Sequence, residues 1–203
     1  MSNVTCDLSV SVDGYVAGPN QSFENPIGEG GMSLHQWHFD AEGADQRIVE
    51  EWQSGVGAYI MGRHMFGPDR GEWDLDWKGW WGDDPPYHAP VFVLTHHPRE
   101  PLTMEGGTTY HFVTDGIESA LAQAKAAAGD GDVSIAGGAA TLRQCLAIGA
   151  IDELRLHVVP LVLGEGENVF TGLRGLRLEA VERTGTGMVT HVIYRPTSHL
   201  PLT

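Results

Sequence analysis

Residues 134–143 read Ser-Ile-Ala-Gly-Gly-Ala-Ala-Thr-Leu-Arg, an apolar run that meets a glycine pair and then passes directly into a helix pattern. Glycines at such a junction let backbone N–H groups approach an anion closely, and the positive end of the helix dipole favours phosphate. The junction therefore indicates a pyrophosphate site, and the alternative is a turn needed only for packing. It is not the Gly-x-Gly-x-x-Gly fingerprint, which disfavours an ordinary Rossmann domain.

Strand and helix patterns alternate along the chain on both sides of this junction. Apolar runs predict six strands, at 4–12, 58–61, 91–94, 109–113, 133–135 and 154–159. Apolar periodicity predicts helices from residue 45, at 117–128 and at 139–148. This order is typical of right-handed crossovers, and the runs 176–183 and 188–194 predict a hairpin. The expected class is α/β, with a largely parallel sheet, helices on its faces and a C-terminal antiparallel hairpin.

Two other strand ends carry side chains that suit a phosphate. Gly62 opens a helix after one strand, and the next residue, Arg63, can pair with phosphate through two donors. Thr95 and His96 follow the strand at 91–94. Because ligands bind beyond the carboxyl ends of strands in an open α/β sheet, we expect these ends and the glycine pair to converge on one ligand with more than one phosphate.

Composition and charge exclude several classes of protein. The 203 residues fit one domain, 1–203, and the net charge of −15 without a basic run excludes nucleic-acid or anionic-membrane binding. No apolar run is long enough to cross a bilayer, and no leader pattern precedes the first strand, so we expect a cytoplasmic protein. The ten histidines have no carboxylate or cysteine at matched spacing, so we expect no metal.

The segment 68–90 concentrates tryptophans among Asp, Gly and Pro and fits no regular element. One interpretation is a loop that tucks its aromatics onto the core or into a subunit interface. The other is the wall of a ligand pocket, because flat heterocycles stack on indoles. On the second interpretation Trp80 and Trp81 bind the substrate.

Four motifs, in this order along the chain, carry a resemblance to a known family: 61–67, 92–98, 135–144 and 151–166. Together they resemble the dihydrofolate reductase-like superfamily. Within it, the chain is most similar to the single-domain bacterial group related to the C-terminal reductase domain of the bifunctional riboflavin-biosynthesis deaminase-reductase. The riboflavin-pathway reductases carry Thr-Val-x-x-Asp-Asp-Pro after the strand end at Gly62 and Arg63, and this chain does not, which disfavours the riboflavin intermediate as substrate.

The resemblance implies a mixed, mainly parallel sheet flanked by helices, a homodimer, and NADPH as the cofactor. It implies hydride transfer to a small planar heterocycle, pterin-like or aminopyrimidine-like. It places Gly62, Arg63, Thr95 and His96 on the adenosine phosphate side. It assigns the pyrophosphate to Ala136, Gly137, Gly138, Ala139, Ala140 and Thr141, and puts Ala17, Leu163 and Gly164 near the nicotinamide. Basic groups at two strand ends favour NADP(H) over NAD(H).

Reduction of a C=N or C=O group also needs a proton, and the sequence offers two candidate donors. They are Asp13, after the first strand, and Glu153, at the start of the strand that follows the glycine-pair helix. Each has a structural alternative, a turn-forming Asp-Gly for Asp13 and a helix-to-strand connector for Glu153, and ordered water is a third source. The competing function is a non-catalytic ligand-binding or resistance protein that holds a pterin or flavin-like molecule, which would not need the basic groups at Arg63 and His96.

Overall fold

The computed structural model describes residues 2–51, 53–185 and 187–197. The strands are β1 Val4–Ser11, β2 Tyr15–Ala17, β3 Val56–Gly62, β4 Pro90–Leu94, β5 Leu102–Thr103, β6 Thr109–Val113, β7 Asp132–Gly137, β8 Glu153–Val159, β9 Glu167–Asn168, β10 Arg177–Gly185 and β11 Thr190–Thr197. The helices are α1 Gln36–Phe39, α2 Ala44–Glu51, α3 Arg63–Phe66, α4 Ile117–Ala128 and α5 Ala139–Ala147, with short 3-10 turns at Gly31–His35 and Glu105–Gly107.

Within the described residues, nine strands form one sheet in the order β10-β11-β8-β1-β7-β3-β4-β6-β5. The six central strands from β8 to β6 are mutually parallel, whereas β11 and β5 pair antiparallel with their neighbours. β10 and β11 form the C-terminal antiparallel hairpin. The α/β class, the mixed, mainly parallel sheet and the hairpin are therefore confirmed.

One face of the sheet packs on α4 and α5. β1 places Val4, Cys6 and Val10 on this face, because alternate residues of a strand point to opposite sides. α5 buries Leu142, Cys145 and Leu146 against it, as the helix pattern predicts, and α4 buries its own apolar stripe. The carboxyl ends of the parallel strands are thereby held rigidly above this core.

The opposite face is covered by α1, α2 and the tryptophan-rich segment. A second apolar cluster there includes Tyr59, Met61 and Phe66, with Trp73 and Trp77 packed against it. The side chains of Asp7 and Ser9 in β1 point to this face, because they alternate along the strand with the apolar side chains that point to the other face. No helix in the described part of the chain is long and apolar enough to cross a membrane.

Candidate functional site

Three strand ends meet at one edge of the sheet: β3 and β7, each followed by a helix, and β4, which is followed by a turn. In the sheet, Met61 of β3 lies opposite Gly137 of β7, and Gly62 of β3 lies opposite Leu94 of β4. Gly62 precedes α3 and Gly138 precedes α5, so both helices start at this edge. The structure thus brings together the segments that the sequence predicts will converge.

The glycine pair leaves open space where a ligand could approach. A Cβ atom placed on Gly138 would meet no heavy atom within 4 Å. Helical hydrogen bonding begins with Thr141 and Leu142, whose N–H groups donate to Gly138 O at 3.1 and 3.2 Å. The amides of Ala139 and Ala140 come before these, and a helix leaves its first amides for other acceptors. The turn is therefore open on its ligand side.

Gly62 and Thr141 join the starts of α3 and α5. A Cβ on Gly62 would lie 2.8 Å from Thr141 Oγ1, which leaves no room for a side chain at residue 62. Thr141 is itself buried. The two helix starts are consequently locked side by side, and Gly62 has a packing role in addition to the predicted ligand role.

Arg63 is the clearest sign of an anion at this edge. Its guanidinium lies over the indole of Trp73, 3.8 Å from the ring centroid, and Nη2 donates to Glu72 O at 3.3 Å. Its Nε and Nη1 are buried and have no hydrogen-bond partner. Burial also lowers the pKa of Arg63, against the opposing effect of Asp69 and Glu72. Buried donors of this kind are normally satisfied, so the site fits a phosphate that completes them.

Two more arginines lie close to Arg63: Arg99, which ends the predicted phosphate segment after β4, and Arg70, which the sequence patterns did not single out. Arg70 is exposed. The negative charge of Glu167 attracts its guanidinium, and the positive charge of Arg63 repels it. Arg99 has a structural role, because it donates to Leu75 O at 3.0 Å and Trp77 O at 2.9 Å. Arg63 and Arg70 therefore concentrate positive charge here in a strongly acidic chain.

Thr95 and His96 follow β4 at the same edge. Thr95 is buried, and its hydroxyl accepts from His97 N at 3.1 Å and donates to His97 O at 3.3 Å. This pair of bonds fixes the turn that leaves β4. His96 is exposed. Of the predicted pair, Thr95 shapes the turn and His96 presents its ring at the surface.

The tryptophan-rich segment is fastened to the core by its indole N–H groups. Trp73 donates to His97 O at 2.8 Å, Trp77 to Phe66 O at 2.9 Å and Trp80 to His64 O at 3.1 Å. Trp73 and Trp77 pack on the core, which agrees with the packing interpretation. Trp80 differs, because it lines a shallow groove with Gln21, Pro26, Pro68 and Arg70. Trp81 is 55% exposed.

Ala17, Leu163 and Gly164 are brought together beyond the carboxyl end of β1. β2 pairs with β9 so that Ala17 faces Glu167, and a Cβ on Gly166 would lie 2.1 Å from Ala17 O. This close backbone approach requires glycine at 166, whose φ is +121°. The segment after β8 is therefore held against β2, beyond the carboxyl end of β1.

The carboxylate of Asp13 fixes the position of this segment by accepting hydrogen bonds from its backbone amides. Its Oδ1 accepts from Leu163 N at 3.1 Å and its Oδ2 from Gly164 N at 2.7 Å, while the Ser11 hydroxyl donates to Oδ1 at 2.6 Å. The Ser11 hydrogen bond is the main reason that the pKa of Asp13 is lowered. An ionised carboxylate occupied by three donors anchors a loop and is a poor proton donor.

The anchor gives a pH-dependent contribution to stability. Because the folded state lowers the pKa of Asp13 from 3.8, the contribution is complete above that value and is lost as pH falls through the folded-state pKa. We expect the Tm of Asp13→Asn to lie below that of the wild type at pH 7 and the two to converge only as pH falls through the lowered, folded-state pKa of Asp13. Thermal unfolding between pH 3 and 8, with the exposed Asp130→Asn as control, measures this, and a pH-independent gap would contradict it.

Glu153 lies elsewhere. It is the first residue of β8 and pairs with Thr5 near the start of β1, so it sits at the amino edge of the sheet, opposite the glycine pair. Its carboxylate accepts from Arg155 Nε at 2.6 Å. The position is a correction to the sequence interpretation, and it removes Glu153 from the proposed site.

A buried polar chain on the far face of the sheet was missed by the sequence patterns. Asp7 Oδ1 lies 2.5 Å from His157 Nε2, His157 Nδ1 lies 2.6 Å from His191 Nδ1, and His191 Nε2 lies 2.9 Å from Asp45 Oδ1. Trp37 covers both rings, with centroids at 4.9 and 5.0 Å, and donates to Ser9 Oγ at 3.0 Å. The contacts join β1, β8, β11 and α2.

Comparison with known proteins identifies the kind of domain that carries this edge. The model of a protein family described as the RibD C-terminal domain matches residues 2–190. The chain belongs to the RibD C-terminal domain family. The protein YyaP of Bacillus subtilis (strain 168) is 24% identical over 203 residues, which cover 94% of this chain and 93% of YyaP.

Solved structures share the fold of this family member. A putative riboflavin biosynthesis protein from Shewanella sp. PV-4 has a TM-score of 0.67 at 21% identity, with 98% of this chain and 100% of that chain covered. The dihydrofolate reductase of Enterococcus faecalis, complexed with NADP(H), has a TM-score of 0.54 at 13% identity, with 97% of each chain covered. The resemblance to the dihydrofolate reductase-like superfamily is thereby confirmed at the level of fold.

Proposed function

We propose that this chain is an NADPH-dependent reductase of a small planar heterocycle, pterin-like or aminopyrimidine-like. Membership of the RibD C-terminal domain family supports an oxidoreductase. The observation that carries the cofactor assignment is Arg63, whose buried Nε and Nη1 lack partners at the edge where Gly138 leaves open space. A protein that only held a neutral heterocycle would have no use for that unsatisfied cation.

Different residues of the chain bind the adenosine end and the nicotinamide end of the nucleotide. Backbone amides of residues 136–141 hold the pyrophosphate, and Arg63 binds the 2'-phosphate, with Thr95 and His96 beside the adenosine. Ala17, Leu163 and Gly164 border the nicotinamide, and Asp13 keeps the latter two in place. NADPH supplies a hydride when bound, and the protein's part is to hold donor and acceptor carbon in register and to exclude water.

The substrate side of the proposal rests on the aromatic segment. Trp80 is half-buried and faces the loop 18–31 across the groove, so its indole offers a stacking surface for a flat ring. Trp81 extends that surface into solvent. We further propose that the chain acts in the cytoplasm as a homodimer, as the family resemblance implies.

Arg63→Ala tests the cofactor assignment. We expect it to weaken NADPH about 10- to 100-fold, because a charge-assisted contact to phosphate is worth about 1.5–3 kcal/mol, and to leave NADH nearly unchanged. Nicotinamide fluorescence on titration gives both affinities. Arg177→Ala, an exposed arginine at the start of β10, is the matched control and should bind both nucleotides like the wild type.

Two results would overturn the proposal. Equal losses of NADPH and NADH in Arg63→Ala would refute the 2'-phosphate assignment. A wild-type protein that binds pterins tightly, yet neither binds NADPH at sub-millimolar concentration nor oxidises it with any heterocycle, would favour the non-catalytic binding protein.

A further inference from the structure

The two ends of the proposed nucleotide site lie on separate segments of the chain. The amides proposed for the pyrophosphate are at the start of α5, whereas Leu163 and Gly164 lie in the connection between β8 and β9. Hydride transfer depends on the relative position of the two ends, since a misplacement of about 1 Å can cost about 100-fold in rate. A link that fixes one segment to the other is present among the hydrogen bonds of the described residues.

The link begins on α5 with Arg143. This residue lies one helical turn after Ala139, whose amide is among those proposed for the pyrophosphate, and its side chain is half-buried. Its Nη1 donates to the main-chain oxygen of Asn168 in β9. The bond fixes β9 against the helix that starts at the glycine turn.

The side-chain amide of Asn168 continues the link to the turn after β1. Its Nδ2 donates to Asp13 O at 3.0 Å, and its Oδ1 accepts from Phe170 N at 2.8 Å. Because a carbonyl oxygen only accepts and a backbone N–H only donates, these two partners fix the orientation of the amide. Val169 N also donates to Gly14 O at 2.9 Å. Both carbonyl groups of the turn 13–14 are therefore held by β9.

Asp13 completes the link through its carboxylate. The main-chain oxygen of Asp13 is held by Asn168, while its carboxylate accepts from Leu163 N and Gly164 N at 3.1 and 2.7 Å. A movement of Asp13 therefore carries the segment that borders the proposed nicotinamide end. A continuous series of hydrogen bonds runs from Arg143 on α5 through Asn168 and Asp13 to this segment.

We propose that Asn168 is a positioning residue, which holds the segment beside the nicotinamide in a fixed position relative to the amides that bind the pyrophosphate. This inference rests on the proposed function, because that function assigns the two ends to NADPH. Asn168 acts through Asp13 and touches none of the reacting atoms. If Asn168 served only the stability of the β2–β9 pair, its loss would affect both ends of the nucleotide alike.

The structural step is tested on the ligand-free protein by amide hydrogen exchange in Asn168→Ala. The substitution removes both side-chain bonds of residue 168 but keeps the bond from Arg143, which goes to the main-chain oxygen. We expect the amides of Leu163 and Gly164 to exchange at least about 10-fold faster, because their acceptor is no longer fixed, and Leu142 in α5 to be unchanged. Wild-type exchange at 163 and 164, or an equal acceleration at Leu142, would overturn the inference.

The functional step is tested by comparing NADPH with 2'-phospho-ADP-ribose, which lacks the nicotinamide. We expect Asn168→Ala to bind 2'-phospho-ADP-ribose within about 2-fold of the wild-type affinity, and NADPH about 5- to 10-fold more weakly. With a heterocycle that is reduced, kcat should fall about 10- to 100-fold, with KM for the heterocycle nearly unchanged. Equal losses for the two nucleotides, or a wild-type kcat, would refute the positioning role.

Two further variants separate the donor from general effects. Asn168→Asp keeps the side-chain volume and the acceptor for Phe170 N but loses the donor to Asp13 O, so it should reproduce the faster exchange and the lower kcat. Wild-type behaviour of Asn168→Asp would show that the donor has no such role. Asn3→Ala, at an exposed asparagine before β1, is the matched control. If the wild type binds neither nucleotide, the proposed function fails, whereas amide exchange still decides whether Asn168 fixes the segment.

Discussion

Gly138→Val is expected to abolish NADPH binding in a protein that still folds. The backbone at Gly138 has φ −75° and ψ −170°, which valine adopts readily, and an added Cβ would touch no heavy atom within 4 Å. The Cβ of the new side chain therefore meets no protein atom. It occupies the space through which the pyrophosphate must approach the amides of α5, so affinity should fall at least about 100-fold, or about 3 kcal/mol.

The measurement is NADPH titration together with thermal unfolding of the ligand-free protein. Gly187→Val is the matched control, because that glycine also meets no heavy atom within 4 Å and lies in the β10–β11 connection, several strands from β7. The control should keep the wild-type affinity. Tight NADPH binding by a folded Gly138→Val protein would show that the open side of the glycine turn is not the nucleotide site.

Much of the fold was predictable because its information is local. Apolar runs and periodicity define the crossover strands and helices, and short connections between them leave a parallel sheet as the natural arrangement. The small strands β2, β5 and β9 were missed, since each has only two or three residues, and β2 and β9 pair with each other across about 150 positions of sequence. Nothing in so short a run distinguishes it from a loop.

The candidate site was predicted in part for the same reason. Glycine junctions are local signals, and parallel topology brings their strand ends to one edge. The same topology places the start of a strand at the other edge, so Glu153 was a wrong choice that the predicted sheet itself argued against. The orphaned donors of Arg63 depend on where Trp73 and Glu72 pack, which sequence periodicity does not reveal.

The polar chain on the far face shows the other limit of sequence reasoning. Its contacts join residues separated by 150, 34 and 146 positions. Asp7 and His157 fall on the polar side of alternating strands, where a solvated face is the usual interpretation. Only the docking of α1 and α2 over that face converts them into a buried network.

His191→Leu is expected to destabilise the fold by about 3–5 kcal/mol, because removing one partner of a buried hydrogen-bonded network that contains carboxylates is strongly destabilising. The leucine fills a similar volume but withdraws the donor from Asp45 Oδ1 and the acceptor from His157 Nδ1. Against a typical total stability of about 5–15 kcal/mol, this loss is large. Urea unfolding at pH 7 measures it.

A second substitution separates charge from packing. In Asp45→Asn/His191→Leu the carboxylate is replaced by a neutral amide, so the cost of taking the His191 donor away from a buried charge falls, and the double variant should be more stable than His191→Leu alone. Asp45→Asn by itself should cost less than His191→Leu, because its oxygen still accepts from His191 Nε2. If the double variant loses the sum of the two single losses, Asp45 and His191 are not energetically coupled, which would contradict the expected role of their hydrogen bond.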